Sequence, residues 1–254
     1  MIILSITTII ILCIVGFAAA FLDSIAGGGG ILTVPALMAA GLPPHLTLGT
    51  NKFSATNASF TSTLTFLNSK KIHIPLIKYI LPFSFLGAVL GVRTVLQINE
   101  EYLRIIILIL LIFVALNTLI NKNVGVENNF QGVNKKTIIM GCILGFTIGF
   151  YDGFFGPGTG SILLYAFIRY FKFDFTIGTA NARILNFTSN VTSLILFAYY
   201  GRIIYAVGIP MALSMILGAF IGTRMAIKHG GKIIKPIFVT MSLAIVVKLF
   251  IDTI

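Results

Sequence analysis

A glycine-rich break that follows an acidic residue occurs twice in this chain, each time inside strongly apolar sequence. The first copy reads DSIAGGGGI at 23–31, and the second reads DGFFGPGTG at 152–160, 129 positions later. Helices inside a bilayer satisfy their own backbone hydrogen bonds and are interrupted only where protein or a wet cavity covers the break. Paired breaks at matching positions of two halves are typical of membrane transporters built on a repeat.

Other matches between the halves extend this pattern. Three polar positions recur at the same spacing of 129, and a glycine motif ending in arginine recurs at a spacing of 131: Gly49-Thr50 with Gly178-Thr179, Asn57 with Asn186, and Gly87-Ala-x-x-Gly91-x-Arg93 with Gly218-Ala-x-x-Gly222-x-Arg224. The sequence therefore predicts two homologous repeats at 1–121 and 135–254. The polar stretch 122–134 is predicted to be a linker with too little apolar surface to order itself.

The composition indicates an integral membrane protein. The chain has 254 residues, of which 57% are hydrophobic and only 10% are charged, whereas a soluble domain carries about 25% charged residues. About 20 apolar residues cross a bilayer as a helix, and long apolar runs occupy 2–22, 74–91, 103–120, 137–150, 203–225 and 233–251. The fold class predicted is all-α, a polytopic transmembrane helical bundle. The net charge of +11 is attributed to loop lysines and arginines near lipid headgroups rather than to nucleic-acid binding.

Each repeat is predicted to contain four long helices and one short helix after the break. The short helices are expected at 31–40 and 161–171, followed by loops at 41–50 and 172–179 that Gly-Thr closes, and then by polar helices at 51–67 and 180–200. Ten to twelve helical residues span only about half of a ~30 Å hydrocarbon core. A short helix that re-enters gives four crossings and parallel repeats, whereas one that completes a crossing gives five crossings and inverted repeats.

The charges of the loops discriminate between these two arrangements. With five crossings, 12 of the lysines and arginines lie on one side and 4 on the other, whereas with four crossings the same residues divide 7 against 9. Cytoplasmic loops carry an excess of Lys and Arg. The sequence therefore favours inverted repeats with the linker on the cytoplasmic side.

The two breaks are the first candidate site. Their glycines can turn the chain sharply and expose bare backbone N–H groups, and the helix that follows offers a positive dipole end to an anion. The substrate-binding candidates here are Gly27, Gly28, Gly29, Gly30, Gly156, Gly158 and Gly160. Close helix packing is the alternative reading, and it is preferred for Gly87 and Gly91.

The acidic residues Asp23 and Asp152 precede the two breaks. A carboxylate inside a membrane is costly and usually faces a cavity or a partner. Either one could carry a coupling proton or bind a cation, or it could instead cap the glycine turn through backbone hydrogen bonds.

The two polar helices supply the remaining candidates. Hydroxyls, amides and one cation recur in each helix and could line an oxyanion path, with positions 50, 54 and 57 on one face of the first helix and 179, 183 and 186 on one face of the second. The candidates are Thr50, Asn51, Lys52 and Asn57 in the first, and Thr179, Asn181, Arg183 and Asn186 in the second. The alternatives are hydrogen bonds between helices and, for Lys52, extension of the ammonium group to the membrane interface.

The sequence offers little support for catalysis or for a bound cofactor. His45, His73 and His229 show no metal-ligand spacing and none lies in a predicted span. A Walker-type phosphate loop is not found. We therefore predict neither an enzyme nor a metal or cofactor site.

The paired Asp-x-x-x-Gly-x-Gly breaks, each followed by Gly-Thr and a polar helix, resemble the TauE/SafE family of sulfite exporter-like permeases. The resemblance covers nearly the whole chain and implies a secondary transporter of the bacterial inner membrane. It also implies a small sulfur-containing anion, such as sulfite, a sulfonate or sulfoacetate, as substrate. The second break departs from the first, because Pro157 and Thr159 replace Gly28 and Gly30. An anion channel, or an accessory membrane subunit without transport of its own, is the alternative function.

Overall fold

The computed structural model describes residues 4–120 and 128–229, which form nine α-helices. These are α1 (Ile6–Ala26), α2 (Gly30–Ala39), α3 (Pro44–Asn68), α4 (Ile74–Leu96), α5 (Glu100–Ile120), α6 (Lys135–Phe154), α7 (Thr159–Phe171), α8 (Phe175–Tyr199) and α9 (Tyr205–His229). The predicted apolar run at 233–251 and linker residues 122–127 lie outside the described residues. The two short helices, α2 and α7, follow the two glycine breaks as expected.

Local sequence explains where the polar helices begin. Proline occupies the first turn of α3, where its missing N–H is not needed. The side chain of Asp174 caps α8 by accepting a hydrogen bond from the N–H of Ile177 at 2.9 Å. These signals start α3 seven residues and α8 five residues earlier than predicted. The predicted loops at 41–50 and 172–179 are therefore wrong, and Gly49-Thr50 and Gly178-Thr179 lie inside helices.

Four of the described helices, α1, α4, α6 and α9, are long and apolar enough to cross a membrane. Most of their outward-facing side chains are large and apolar, which is the surface that lipid favours. The chain is thus a multi-pass, all-α membrane protein. The polar helices α3 and α8 are instead largely buried among the other helices.

Helices from the two sequence halves pack closely together at two interfaces, α4 against α6 and α1 against α9. A Cβ added to Gly87 or Gly91 of α4 would overlap the backbone of α6 at Phe146 and Phe150. In the same way, a Cβ on Gly218 or Gly222 of α9 would overlap the backbone of α1 at Phe17 and Phe21. The packing role preferred for Gly87 and Gly91 is confirmed, because only a bare Cα lets these backbones approach so closely.

One end of the bundle, named here the linker end, gathers the loops 69–73, 128–134 and 172–174. Phe130 stacks on Phe173 with ring centroids 4.3 Å apart and meets His73 edge-on at 5.0 Å. The N–H of Asn129 also donates to the carbonyl of Lys172 at 2.8 Å. In the described part of the predicted linker, 128–134, one aromatic side chain anchors the segment to the neighbouring loops.

The opposite end, named here the arginine end, gathers the loops 40–43, 97–99 and 200–204. His45 in the first turn of α3 contacts the carbonyl of Val95 at 3.0 Å and Glu100 at 3.3 Å. Thr50 of α3 accepts a hydrogen bond from the N–H of Ile204 at 3.0 Å. Arg93 and Arg202 line a shared cavity of about 210 Å³ at this end. Helix α3 therefore begins at the arginine end, whereas α8 begins at the linker end.

Candidate functional site

The two helix breaks meet backbone to backbone. A Cβ added to Gly27 would overlap the backbone of Gly160 and Ser161, and one added to Gly30 would lie 2.9 Å from the Cα of Pro157. Gly27 also has a φ of 82°, which L side chains rarely adopt. The sequence placed these glycines at matching positions of two halves, and the structure brings them into direct contact.

The first acid, Asp23, caps the glycine turn that follows it and forms an ion pair with Arg183 of the second polar helix. Its Oδ1 accepts a hydrogen bond from the N–H of Gly29 at 2.9 Å. The guanidinium of Arg183 donates through Nη1 to Oδ2 of Asp23 and through Nη2 to the main-chain oxygen of the same residue. The side chain of Asp23 remains 24% exposed, while that of Arg183 is 1% exposed. The capping role is thus observed, together with an ion pair that the sequence did not predict.

The second acid, Asp152, lies in a closed polar network. Its Oδ1 forms an ion pair with Nζ of Lys52 at 2.9 Å, and both side chains are almost fully buried. Its Oδ2 accepts hydrogen bonds from the hydroxyl of Ser189 and from Nδ2 of Asn186 at 3.4 Å. Lys52 also donates to Oδ1 of Asn190 at 2.9 Å.

Burial of Lys52 contradicts the alternative in which its ammonium group extends to the membrane interface. A long lysine side chain reaches water only when no partner holds it inside. Here Asp152 and Asn190 provide two acceptors in the interior. Lys52 therefore belongs to the interior of the bundle, beside the second break.

Both ion pairs join one sequence half to the other. Arg183 of α8 binds the acid of α1, and Lys52 of α3 binds the acid of α6. Each cation lies about 12 Å along its helix from the first residue, at a rise of 1.5 Å per residue. Because α3 and α8 begin at opposite ends, the pair of Asp152 lies toward the arginine end and the pair of Asp23 toward the linker end.

Other predicted polar residues satisfy neighbouring groups instead of meeting the acids. Thr50 and Asn181 accept backbone N–H groups from Ile204 and His73, at 3.0 and 2.8 Å. Thr179 and Asn57 donate to carbonyls of their own helices. For these four residues, the structure shows hydrogen bonds between or within helices rather than contact with the ion pairs.

Of the remaining candidate residues, one glycine lies beside an ion pair, and the others contact neighbouring helices. Gly156 lies against the pair of Asp152, since a Cβ there would be 3.0 Å from Nζ of Lys52. Gly158 instead faces Val114 of α5. Asn51 accepts a 2.6 Å hydrogen bond from the hydroxyl of Thr33 and so ties α3 to the short helix α2.

Three contributors were missed by sequence reasoning. Ser189 and Asn190 lie three and four positions after Asn186 and so share its helical face, a signal that could have found them. The hydroxyl of Tyr151 donates to the carbonyl of Pro157 and holds the second break, and no local pattern indicates that contact. Among the residues that the structure describes, no group of three or more His, Cys, Asp or Glu side chains could hold a metal ion.

Apolar helices, interrupted helices in contact and buried ion pairs between helices define a polytopic membrane protein of the transporter type. The family model described as sulfite exporter TauE/SafE matches residues 12–249, and the chain belongs to that family.

Named relatives agree with this assignment. The chain is 38% identical to a probable membrane transporter protein of Haemophilus influenzae over 87% of this chain and 86% of the relative. It is 39% identical to the probable membrane transporter protein YfcA of Escherichia coli K12, over 87% and 81%. A more distant relative, the probable membrane transporter protein YunE of Bacillus subtilis, is 24% identical over 85% and 86%. No solved structure matches the chain.

Proposed function

We propose that this protein is a secondary active transporter of a small, sulfur-containing anion in a bacterial inner membrane. It works by alternating access and couples movement of the anion to a proton carried by Asp23 or Asp152. The observation that carries the proposal is the pair of reciprocal ion pairs, Asp23 with Arg183 and Asp152 with Lys52, on either side of the touching breaks. The family supplies the substrate class, since its description names a sulfite exporter.

The contacts at the two ends support inverted repeats. The connection between α2 and α3 lies at the arginine end, together with the α4–α5 and α8–α9 connections. The equivalent connection between α7 and α8 lies at the linker end, together with the α3–α4 connection. If each half crosses the membrane five times, equivalent loops of the two halves lie at opposite ends of the bundle. If each half crosses four times, they lie at the same end. The abundance of lysine in the loops of the linker end assigns that end to the cytoplasm.

In this arrangement the two ion pairs act as two gates. The pair of Asp23 lies on the cytoplasmic side of the touching breaks, and the pair of Asp152 lies on the outer side. Each pair bridges the two repeats, so separating one pair lets the repeats move apart at that end while the other pair holds the opposite end. This is the requirement of alternating access around a site at mid-depth.

Substrate and proton would bind together at the gate of Asp23. Arg183 and the N–H of Gly29 bind the carboxylate of Asp23, and both are donors that suit an oxyanion equally well. Protonation of Asp23 removes the negative charge that holds Arg183, and an incoming anion then supplies a new one. The buried cation is never left without a counter-charge, which would cost several kcal/mol.

The test is flux of radiolabelled sulfite and of a small sulfonate across proteoliposomes that contain the purified protein, with and without an imposed proton gradient. We expect uptake that a proton gradient accelerates and that Arg183→Ala abolishes. Arg224→Ala is the matched control, because Arg224 stacks on the exposed ring of Phe220 at 4.1 Å, away from the breaks.

Three results would contradict the proposal. Wild-type flux that ignores the proton gradient and exceeds transporter rates indicates a channel. A lack of flux with a stoichiometric copurifying protein indicates an accessory subunit. Wild-type flux that survives Arg183→Ala removes Arg183 from the path.

A further inference from the structure

Two polar atoms at the second break have unused hydrogen-bonding capacity. Within the described residues, Oγ of Ser161 and Nε of Arg183 are both shielded from solvent and have no hydrogen-bond partner. A buried polar group without a partner costs about 1–3 kcal/mol, and one such explanation is an ion or water that binds there. Ser161 was not among the residues that the sequence indicated.

The two residues belong to one small region. Ser161 lies in the first turn of α7. Its neighbour Gly160 lies against Arg183, because a Cβ on Gly160 would be 2.9 Å from Nη2 of that side chain. Arg183, at 1% exposure, thus reaches the N-terminus of a 13-residue helix, where free N–H groups and the dipole favour an anion.

Asp23 occupies only one edge of the Arg183 guanidinium and leaves the other edge free. Nη1 and Nη2 donate to Asp23, while Nε does not donate to any described residue. A guanidinium carries five N–H donors in a fixed planar fork. It can therefore keep Asp23 on one edge and bind two oxygens of a second anion along the edge that contains Nε.

We propose that Ser161 and the Nε edge of Arg183 form a specificity site for a multi-oxygen oxyanion at the N-terminus of α7. This inference rests on the proposed function and names the residues that select its substrate. A pyramidal or tetrahedral group, such as sulfite or the head of a sulfonate, presents separate oxygens to the hydroxyl and to the guanidinium. A halide ion has no separate oxygens, so the site favours oxyanions over chloride.

The site occurs at the second break and not at the first. The position equivalent to Ser161 at the spacing of 129 is Leu32, which has no polar side-chain atom. The position equivalent to Arg183 is Ser54, whose hydroxyl donates to the carbonyl of Gly208 at 3.0 Å. The transporter therefore has one selective oxyanion site beside Arg183 rather than two equivalent ones.

The test is binding of sulfite, methanesulfonate and chloride to the purified full-length protein in detergent, by isothermal titration calorimetry. Ser161→Ala should weaken sulfite and methanesulfonate binding about tenfold or more, because a hydrogen bond to a charged group is lost. Chloride binding should not change. Ser161→Thr, which keeps a hydroxyl, should restore most of the affinity.

Ser193→Ala is the matched control. Ser193 is a buried serine of α8 whose hydroxyl already donates to the carbonyl of Ser189 at 2.7 Å, so its removal should leave oxyanion affinity unchanged. Thermal unfolding of each variant shows whether it is folded. Because the hydroxyl of Ser161 has no described partner to lose, Ser161→Ala should unfold at the wild-type temperature.

Flux measured on the same variants separates this inference from the proposed function. Wild-type protein that transports sulfite, with Ser161→Ala unchanged in affinity and in preference over chloride, overturns the specificity site and leaves the transporter standing. Selective binding that depends on Ser161 without any flux supports the site and refutes transport. Wild-type protein that binds neither oxyanion overturns the site.

Discussion

The two acids occupy equivalent places in the sequence, yet the structure gives them different surroundings. Asp152 is 1% exposed and contacts Lys52, Ser189 and Asn186. Asp23 is 24% exposed and contacts Arg183 and the N–H of Gly29. A partly exposed acid can exchange a proton with water without any rearrangement, whereas a sealed one cannot. The comparison shows that Asp23 is the acid that water reaches in this conformation, whereas Asp152 is enclosed by its partners.

The cations reinforce this difference. Lys52 is a compact charge that divides its donors between two buried acceptors, Asp152 and Asn190. Arg183 is a planar fork that stays charged, holds Asp23 at one edge and keeps another donor free. The pair of Asp23 is therefore the one suited to bind an additional anion.

The largest effect is expected from Lys52→Met. The substitution leaves the carboxylate of Asp152 buried without its cation, which should lower the free energy of unfolding by about 3–5 kcal/mol. Arg183→Met should cost less, because water can reach Asp23. Reversible unfolding in mixed detergent–SDS micelles measures both, and Lys52→Met combined with Asp152→Asn should recover most of the loss. If Lys52→Met and Arg183→Met lower the free energy of unfolding equally, the two ion pairs do not differ in burial as the structure indicates.

The next effect concerns the proton dependence of flux. Asp23→Asn keeps the shape of the side chain but cannot carry a proton, so sulfite flux through proteoliposomes should lose its dependence on pH. Asp152→Asn should lower the amount of folded protein while the remaining flux keeps that dependence. Flux is measured over a series of internal pH values and normalised to reconstituted protein. The reverse outcome would assign proton exchange to the outer pair.

A smaller effect should appear in chemical accessibility. In a background with Cys13 and Cys142 replaced by alanine, a cysteine at position 23 should react with a membrane-impermeant thiol reagent from the cytoplasmic side. A cysteine at position 152 should react at least about tenfold more slowly, in proportion to its smaller exposure. Labelling of oriented membrane vesicles, followed by mass spectrometry, gives both rates. Faster reaction at position 152 would mean that the outer side is the open one.

The smallest effect compares the equivalent residues Thr50 and Thr179. Thr50→Val leaves the N–H of Ile204 without its acceptor and should cost about 1 kcal/mol. Thr179→Val removes only a bond to the carbonyl of Phe175 in its own helix and should be nearly neutral. The same unfolding assay measures both. Equal costs would show that the two polar helices are supported alike.

Sequence reasoning located the site without its partners. The breaks and both acids could be identified because glycine and aspartate are unusual in apolar helices and recur at a fixed spacing. The starts of α3 and α8 were placed too late because Gly-Thr was interpreted as a loop end, while Pro44 and Asp174 carried the true signals. The partner of Lys52 lies 100 positions away in the chain, and helical periodicity relates only residues within a few turns of each other.

The sequence by itself determined that the chain is a helical membrane protein with two interrupted helices, because apolar length, glycine and buried charge act locally along the chain. Tertiary structure alone decided that each acid pairs with a cation of the other half, that one pair is sealed while the other reaches water, and that Gly160, the neighbour of Ser161, lies against Arg183. These features depend on how helices from distant parts of the chain pack. A residue-by-residue pattern does not contain that packing, because side chains far apart in sequence meet only after the backbones have docked.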